Sequence, residues 1–161
     1  MKGASLVLAL ALLLAVPATS RADGAVREYG PQFGFSTDPG QVVVGGHLSL
    51  GDVAPDLDFV PSLDLGFGDG LTVFSLNGDF HYRFRLSGAT WQPYAGAGVS
   101  LHHASADNGG FGGSATVGGG SLIGGAEVPT SSGNRFYVEA RFGVGDGPSF
   151  KALAGWSFPV R

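Results

Sequence analysis

The stretch SLNGDFHYRFRL, residues 75–86, alternates between two kinds of side chain, and this alternation limits the possible fold more than any other feature of the sequence. One set of alternate positions is apolar or aromatic: Leu76, Gly78, Phe80, Tyr82, Phe84 and Leu86. The other set is polar or ionisable: Ser75, Asn77, Asp79, His81, Arg83 and Arg85. Side chains of a β-strand point alternately to opposite faces, so the pattern predicts a strand with one apolar and one ionic face.

Similar segments occupy most of the chain after its first residues. Eight of them are predicted, at about 29–36, 41–51, 57–68, 71–86, 91–103, 115–128, 135–145 and 150–160. Each is ended by Gly, Pro, Asn, Asp or Ser in turn-forming combinations, such as TDPG, DVAPD and DGPS. Only the sixth segment, ATVGGGSLIGGAEV, fails to alternate cleanly. Gly is 29 of the 161 residues, without a three-residue period, which favours an all-β chain with many tight turns.

The N-terminal residues are predicted to be a secretory signal peptide. Lys2 precedes an uncharged run from Gly3 to Val16 that is too short to cross a bilayer as a helix, and small residues follow near Ala22. We therefore divide the chain into a signal peptide, residues 1–22, and one barrel domain, residues 23–161. The absence of Cys excludes both disulfides and the lipid-attached cysteine of a lipoprotein.

The charge of the mature chain argues against a nucleic-acid partner. Without Lys2 and Arg21, Lys and Arg fall from 9 to 7 against 13 acids, which leaves a net charge of about −6. No motif indicates a cofactor. No metal site is predicted either, because adjacent residues such as His102 and His103 point to opposite faces of a strand.

The two faces can be arranged in two ways. A soluble barrel turns its apolar face inward, whereas a membrane barrel turns it toward lipid and encloses the polar face. Gly and small residues crowd the polar faces, as a narrow interior requires. The charges on these faces nearly cancel, as buried charges must. We therefore predict an eight-stranded antiparallel up-and-down transmembrane β-barrel. Its predicted interior ion-pair network is Asp58, Asp64, Asp79, His81, Arg83, Arg85, Glu127, Arg135, Glu139, Arg141 and Lys151.

Aromatic placement agrees with this interpretation. If the first strand begins in the periplasm, the longest connection, residues 104–114, lies on the outer side of the membrane. The aromatic residues expected near the periplasmic interface are then Tyr29, Tyr82, Phe84, Trp91, Phe136, Trp156 and Phe158. An eight-stranded barrel is filled by its own side chains, which favours a structural interior over an open pore. A soluble periplasmic ligand-binding barrel and a small pore remain the alternatives.

Two stretches, WQPYAGAGVSLHH and GGAEVPTSSGNRFYVEARFGVGDGPSFKALAGWSF, resemble the small eight-stranded outer-membrane β-barrel proteins of Gram-negative bacteria, the opacity-protein and OmpA-like barrel group. The resemblance implies a non-enzymatic protein of the outer membrane with a structural or surface-interaction role. It implies outer-membrane lipid, the barrel-insertion machinery and periplasmic chaperones as partners, and a monomer as the assembly state. Such barrels usually end on an aromatic residue, whereas this chain ends Phe158-Pro159-Val160-Arg161.

One cluster suggests an enzyme. His103 and Ser105 share a strand face, and His-x-Ser resembles the motif of outer-membrane lipid A deacylases. Ala106 stands where that family has Asn, and no acid follows at a suitable distance before Glu127. Because of these departures from the motif, a lipid A-modifying hydrolase that uses His103 and Ser105 is kept only as an alternative. The preferred interpretation has no catalytic residue.

Overall fold

The computed structural model describes residues 26–68, 70–106 and 113–160. The predicted signal peptide lies outside these residues. The described chain consists of strands joined by turns, with these bounds: β1 Glu28–Thr37, β2 Gln41–Ser49, β3 Asp52–Ala54, β4 Leu57–Gly68, β5 Leu71–Arg83, β6 Gln92–Ala106, β7 Gly113–Pro129, β8 Arg135–Gly145 and β9 Phe150–Pro159. Within these ranges no helix is long and apolar enough to cross a membrane.

Eight long strands form one closed antiparallel sheet, which confirms the predicted fold. Each long strand pairs with the next long strand along the chain, so that β2 pairs with β4 and not with the short β3, and β1 pairs with β9 to close the sheet. The three-residue β3 pairs only with the start of β4, within the DVAPD stretch that the sequence predicts to be a turn. The barrel has two ends. We call the end that carries Glu28 and Pro159 the terminal end, and the other the distal end.

The outside of the barrel is apolar. Large hydrophobic side chains with 40–63% of their surface exposed lie on alternate positions of the strands, among them Phe33, Val42, Leu63 and Val138. A soluble protein rarely exposes a continuous apolar surface of this kind. This orientation contradicts the alternative of a soluble barrel with its apolar faces turned inward.

The inside of the barrel is polar. The carboxylates of Asp58, Asp64 and Asp79 are 0–2% exposed, and the buried positions hold many more polar than apolar side chains. Buried charges are tolerated only when they are paired and hydrogen-bonded. The fold therefore requires that these buried carboxylates form ion pairs inside the barrel.

Aromatic side chains gather at both ends of the outer surface. At the terminal end, Tyr29 lies 6.0 Å from Phe158 and Phe136 lies 5.1 Å from Trp156, measured between ring centroids. At the distal end, Phe150 contacts Phe35 and Phe142 at 6.2 and 5.3 Å. Girdles of this kind mark the two interfaces in membrane barrels.

Candidate functional site

The interior of the barrel contains the chemically distinctive side chains, and glycines make room for them. Tyr94 on β6 is directly opposite Gly125 on β7, which is opposite Glu139 on β8. The Tyr94 hydroxyl passes over this glycine and donates a hydrogen bond of 2.8 Å to Glu139 Oε2. A Cβ on Gly125 would collide with the Tyr94 ring. The glycine is therefore required for the contact between the two strands that flank it.

The same arrangement recurs on the adjoining strands. Tyr137 on β8 reaches over Gly155 on β9 and donates to Gln32 Oε1 on β1 at 2.8 Å. Gln32 in turn reaches over Gly45 on β2 and donates from Nε2 to Asp64 Oδ1 at 2.5 Å. Alternation of one long polar side chain with one glycine thus produces a hydrogen-bonded path around the inner wall.

A central ion cluster crosses the barrel at mid-height. The Arg141 guanidinium is paired with Asp79 at 2.7 Å and with its strand neighbour Glu139. His81 stacks on Tyr94, with ring centroids 4.8 Å apart, and its Nε2 lies 3.7 Å from Glu139 Oε2. Asp79 is on β5 and Arg141 is on β8, so their ion pair spans the lumen between strands that are not neighbours. The cluster therefore ties opposite walls together.

A second ion pair lies toward the distal end. Lys151 Nζ on β9 lies 3.3 Å from Asp64 Oδ2 on β4. Asn77 donates to the same oxygen at 3.0 Å, so that Asp64 accepts from three residues on three different strands. Nearby, Ser75 Oγ and His102 Nδ1 are 2.8 Å apart. The three donors to Asp64 satisfy its carboxylate, which is buried away from water.

A third cluster closes the terminal end. Arg83 Nη2 lies 3.0 Å from Asp58 Oδ2 and 3.3 Å from Glu127 Oε1. Arg135 pairs with Glu28 and, through Nε, with Glu127 at 3.4 Å. The side chains of Arg83 and Arg135 are 14% and 24% exposed, so this cluster is in partial contact with solvent.

The structure brings most of the predicted network together, with one exception. Arg85 follows the end of β5 at Arg83, its side chain is 77% exposed, and it pairs with Asp56 in a turn outside the barrel. The prediction that Arg85 faces the lumen is therefore wrong, because strand alternation no longer sets the direction of a side chain beyond the strand. The other predicted residues, which the structure places in the three clusters, are Asp58, Asp64, Asp79, His81, Arg83, Glu127, Arg135, Glu139, Arg141 and Lys151.

The prediction omitted several residues that complete these contacts. They are Glu28, Gln32, His47, Asn77, Tyr94, His102 and Tyr137. Several share alternating positions with predicted members; Tyr137, for example, lies two residues before Glu139 on the inner face of β8. Alternation along the strand is therefore the signal that could have identified the uncharged members of this set.

Among the described residues, a small cavity lies in the lumen on each side of Arg141. The one toward the distal end is bordered by Ser121, His102 and Lys151, and the other by His47, His81 and Tyr137. Each offers a free volume of about 20 Å³ to water, which suffices for roughly one molecule. Within the described residues, no group of three or more His, Cys, Asp or Glu side chains is placed to hold a metal ion.

His103 and Ser105 lie on the outward face of β6, near the distal end. His103 Nδ1 is 2.8 Å from Thr116 Oγ1 on β7, and both side chains are exposed. The ring of His103 is therefore paired with Thr116, and not with the Ser105 hydroxyl that a base would have to contact to activate a nucleophile. Asp107, which is two residues after Ser105 in the sequence, lies outside the described residues.

The comparisons with known proteins concern the fold. No protein-family model and no curated protein matches the sequence. Among solved structures, the N-terminal β-barrel domain of Pseudomonas aeruginosa OprF is similar with a TM-score of 0.68 and 15% identity, over 84% of this chain and 98% of that one. Neisserial surface protein A is similar with a TM-score of 0.65 and 16% identity, over 83% and 95% of the two chains.

A de novo designed protein, TMB2.3, is similar with a TM-score of 0.51 and 18% identity, over 86% of this chain and 98% of that one. At these identities the likeness establishes a shared architecture. It does not extend to a shared activity.

Proposed function

We propose that this chain, which has the fold of the small eight-stranded outer-membrane β-barrels, is an integral outer-membrane protein with a structural or surface-interaction role. Its lumen is filled by ion pairs and is not an open pore, and it has no enzymatic activity. The terminal end faces the periplasm and the distal end faces the outside of the cell. The predicted partners are outer-membrane lipid and, during biogenesis, the insertion machinery and periplasmic chaperones.

One observation supports the membrane placement most strongly: the sheet is apolar outside and ionic inside. Three aspartates are almost completely buried in the interior while Phe33, Val42 and Val138 are about half exposed on the exterior. In water this arrangement would desolvate charges and hydrate hydrocarbon, both of which cost free energy. In a bilayer the exterior is solvated by acyl chains, so the same arrangement is favourable.

Ion pairs that span the lumen support a filled interior. Arg141 joins Asp79 across the barrel, and Lys151 joins Asp64. The two cavities are each of the size of about one water, and the Arg141 cluster lies between them. A conducting path would require this cluster to separate.

Fractionation and refolding test the membrane placement. After carbonate and urea washing of envelopes, we expect the mature protein to remain in the outer-membrane fraction. Refolded into detergent micelles, it should show β-type circular dichroism and migrate differently in gels before and after boiling. Recovery in the soluble periplasmic fraction would contradict the proposal.

Thiol labelling tests the orientation, and the absence of native Cys makes single-cysteine variants straightforward. Asp146→Cys lies in the distal turn between β8 and β9, and Ser87→Cys lies in a terminal-end turn; both positions are exposed. A membrane-impermeant maleimide should label Asp146→Cys in intact cells and Ser87→Cys only after the outer membrane is permeabilised. The reverse pattern would show the opposite orientation.

Two further measurements separate the remaining alternatives. Planar bilayers that contain the refolded protein should show no stable conductance, whereas discrete channel steps would favour the small pore. Mass spectrometry of lipid A should find the same acyl pattern with and without the protein. A changed pattern that depends on His103 and Ser105 would favour the hydrolase.

A further inference from the structure

One stretch of the barrel wall ends in an open strand edge at the distal end. β7 pairs with β6 as far as Gly113, opposite Ala106, but it pairs with β8 only from Gly119 onward. β6 is supported on its other side by β5, up to the pair Leu71 and Ala106. Because β4 also pairs with β5 up to Gly68 and Leu71, the stretch Gly113–Gly118 is the edge of a continuous wall that includes β4, β5, β6 and β7. Its second side has no strand partner within the described part of the chain.

This edge lacks the features by which proteins usually prevent strand addition. Exposed edges are commonly protected by charged side chains, proline, bulges or a covering segment. The stretch GSATVG contains neither charge nor proline, its register with β6 is continuous, and all of its side chains are exposed except the half-exposed Val117. Small side chains on both faces also leave room for a neighbouring backbone. Within the described residues, the outward N–H and C=O groups of this edge therefore have no strand partner and form a pre-organised template.

The charges at the distal end indicate which partner would fit. Asp146 follows β8 directly after Gly145, the partner of Gly119, so an exposed carboxylate lies at the base of the open edge. Asp38 is also exposed at this end. The described Lys and Arg side chains lie elsewhere: Arg27, Arg83, Arg85 and Arg135 at the terminal end, and Arg141 and Lys151 inside the lumen. A second copy would bring the same acidic end against itself, whereas a basic segment would be attracted.

We infer that the Gly113–Gly118 edge of β7 binds an extended, basic segment of a partner protein by β-strand addition. Backbone hydrogen bonds to the open edge supply the affinity in this mode of recognition, and side chains of the added strand supply the specificity. Lys or Arg in the added strand would lie near Asp146. This goes beyond the proposed function, which includes a surface-interaction role but does not say which part of the surface binds a partner.

The test uses the full mature barrel refolded in micelles, so it does not depend on the proposed location in the cell. The probe is a fluorescent eight-residue peptide in which Lys alternates with Val and Thr; a second peptide has Glu in place of Lys. We expect the basic peptide to bind with saturable fluorescence anisotropy and to slow amide hydrogen exchange within residues 113–118. The acidic peptide should bind at least about tenfold more weakly. Binding without protection of these amides would overturn the inference.

Matched variants separate edge pairing from general attraction. Thr116→Lys places a like charge on the open edge, whereas Thr72→Lys places the same charge on β5, which is paired on both sides at that point. We expect about a tenfold loss of affinity for Thr116→Lys and no more than about threefold for Thr72→Lys. Equal losses would indicate attraction to the acidic end without strand addition, and would overturn the inference.

Backbone variants test the hydrogen bonds directly. Ser114→Pro and Ala115→Pro each remove one N–H group, and successive N–H groups of a strand point to opposite sides. Only one of the two variants therefore removes a donor that faces the open edge. That variant should abolish the protection of the amides and most of the peptide binding. Heat-modifiable migration checks that each variant is folded. If the barrel without peptide forms a dimer that Thr116→Lys dissociates, the occupant is a second copy and the inference is wrong.

Discussion

At the scale of single residues, the interior depends on glycines as much as on charges. Gly125 lies beneath the Tyr94 hydroxyl on its way to Glu139, and Gly155 lies beneath Tyr137 on its way to Gln32. At these two positions the inward glycine therefore leaves a space that a longer side chain from the next strand fills. The high glycine content follows from this pairing as well as from turns.

Gly125→Ala tests this role. The added Cβ would collide with the Tyr94 ring, so we expect a loss of about 1–3 kcal/mol in the free energy of unfolding, as for other overpacked interiors. Gly124→Ala is the matched control, because this adjacent glycine faces outward and its Cβ would meet nothing within 4 Å. The control should change stability by no more than about 0.5 kcal/mol. Urea titration of the micelle-refolded barrels measures both, and equal effects would contradict the explanation.

Arg141 provides the second test at this scale. Arg141→Met leaves the carboxylates of Asp79 and Glu139 buried without their guanidinium, and we expect a loss of about 3–5 kcal/mol. The matched control is Arg85→Met, since the exposed Arg85–Asp56 pair should contribute only about 0–1 kcal/mol. Adding Asp79→Asn to Arg141→Met should recover part of the loss. A single substitution at Arg141 that left the urea midpoint unchanged would show that the central cluster is not structural.

At the scale of the strands, the outward face is expected to be sensitive to charge according to depth. Val138 lies on β8 at the level of Ala154, between the two aromatic girdles, and Val144 lies on the same face beyond Phe142. We expect Val138→Arg to cost about 2–4 kcal/mol and Val144→Arg about 0–1 kcal/mol, because the charge near an interface reaches water. Refolding yields into lipid vesicles across a urea series measure the difference. Similar costs at the two depths would indicate that the outer surface does not contact hydrocarbon.

The same scale shows what the sequence could predict about the elements. Seven of the eight segments alternated cleanly, and their bounds agree with the structure within a few residues; β8, for example, is Arg135–Gly145 as expected. β7 did not alternate because it carries glycine on both faces: inward Gly125 accommodates Tyr94, and outward Gly124 leaves open space. The short β3 could not be predicted, because three residues give no period and its pairing with β4 is tertiary.

At the scale of the whole molecule, the sequence predicts which side chains line the lumen better than it predicts which of them form ion pairs with one another. Alternation placed Asp79 and Arg141 on inward faces, but their ion pair joins β5 to β8 across the barrel. Such a contact depends on the diameter of the closed sheet and on the stagger of its strands, which residue spacing within a strand does not contain. Arg85 shows the corresponding limit at a strand end, where the inward direction of the alternating pattern is lost.

The central claim, that the apolar face of the barrel contacts hydrocarbon and the ionic face is enclosed, is tested most directly by spin labels. Single cysteines at Phe80 and Val138 place a nitroxide on the outward face, and one at Ser62 places it in the lumen. In lipid vesicles, labels at 80 and 138 should collide often with oxygen and rarely with a water-soluble nickel complex, while the label at 62 should be protected from oxygen in the bilayer. Frequent collisions of the outward labels with the nickel complex would contradict the account.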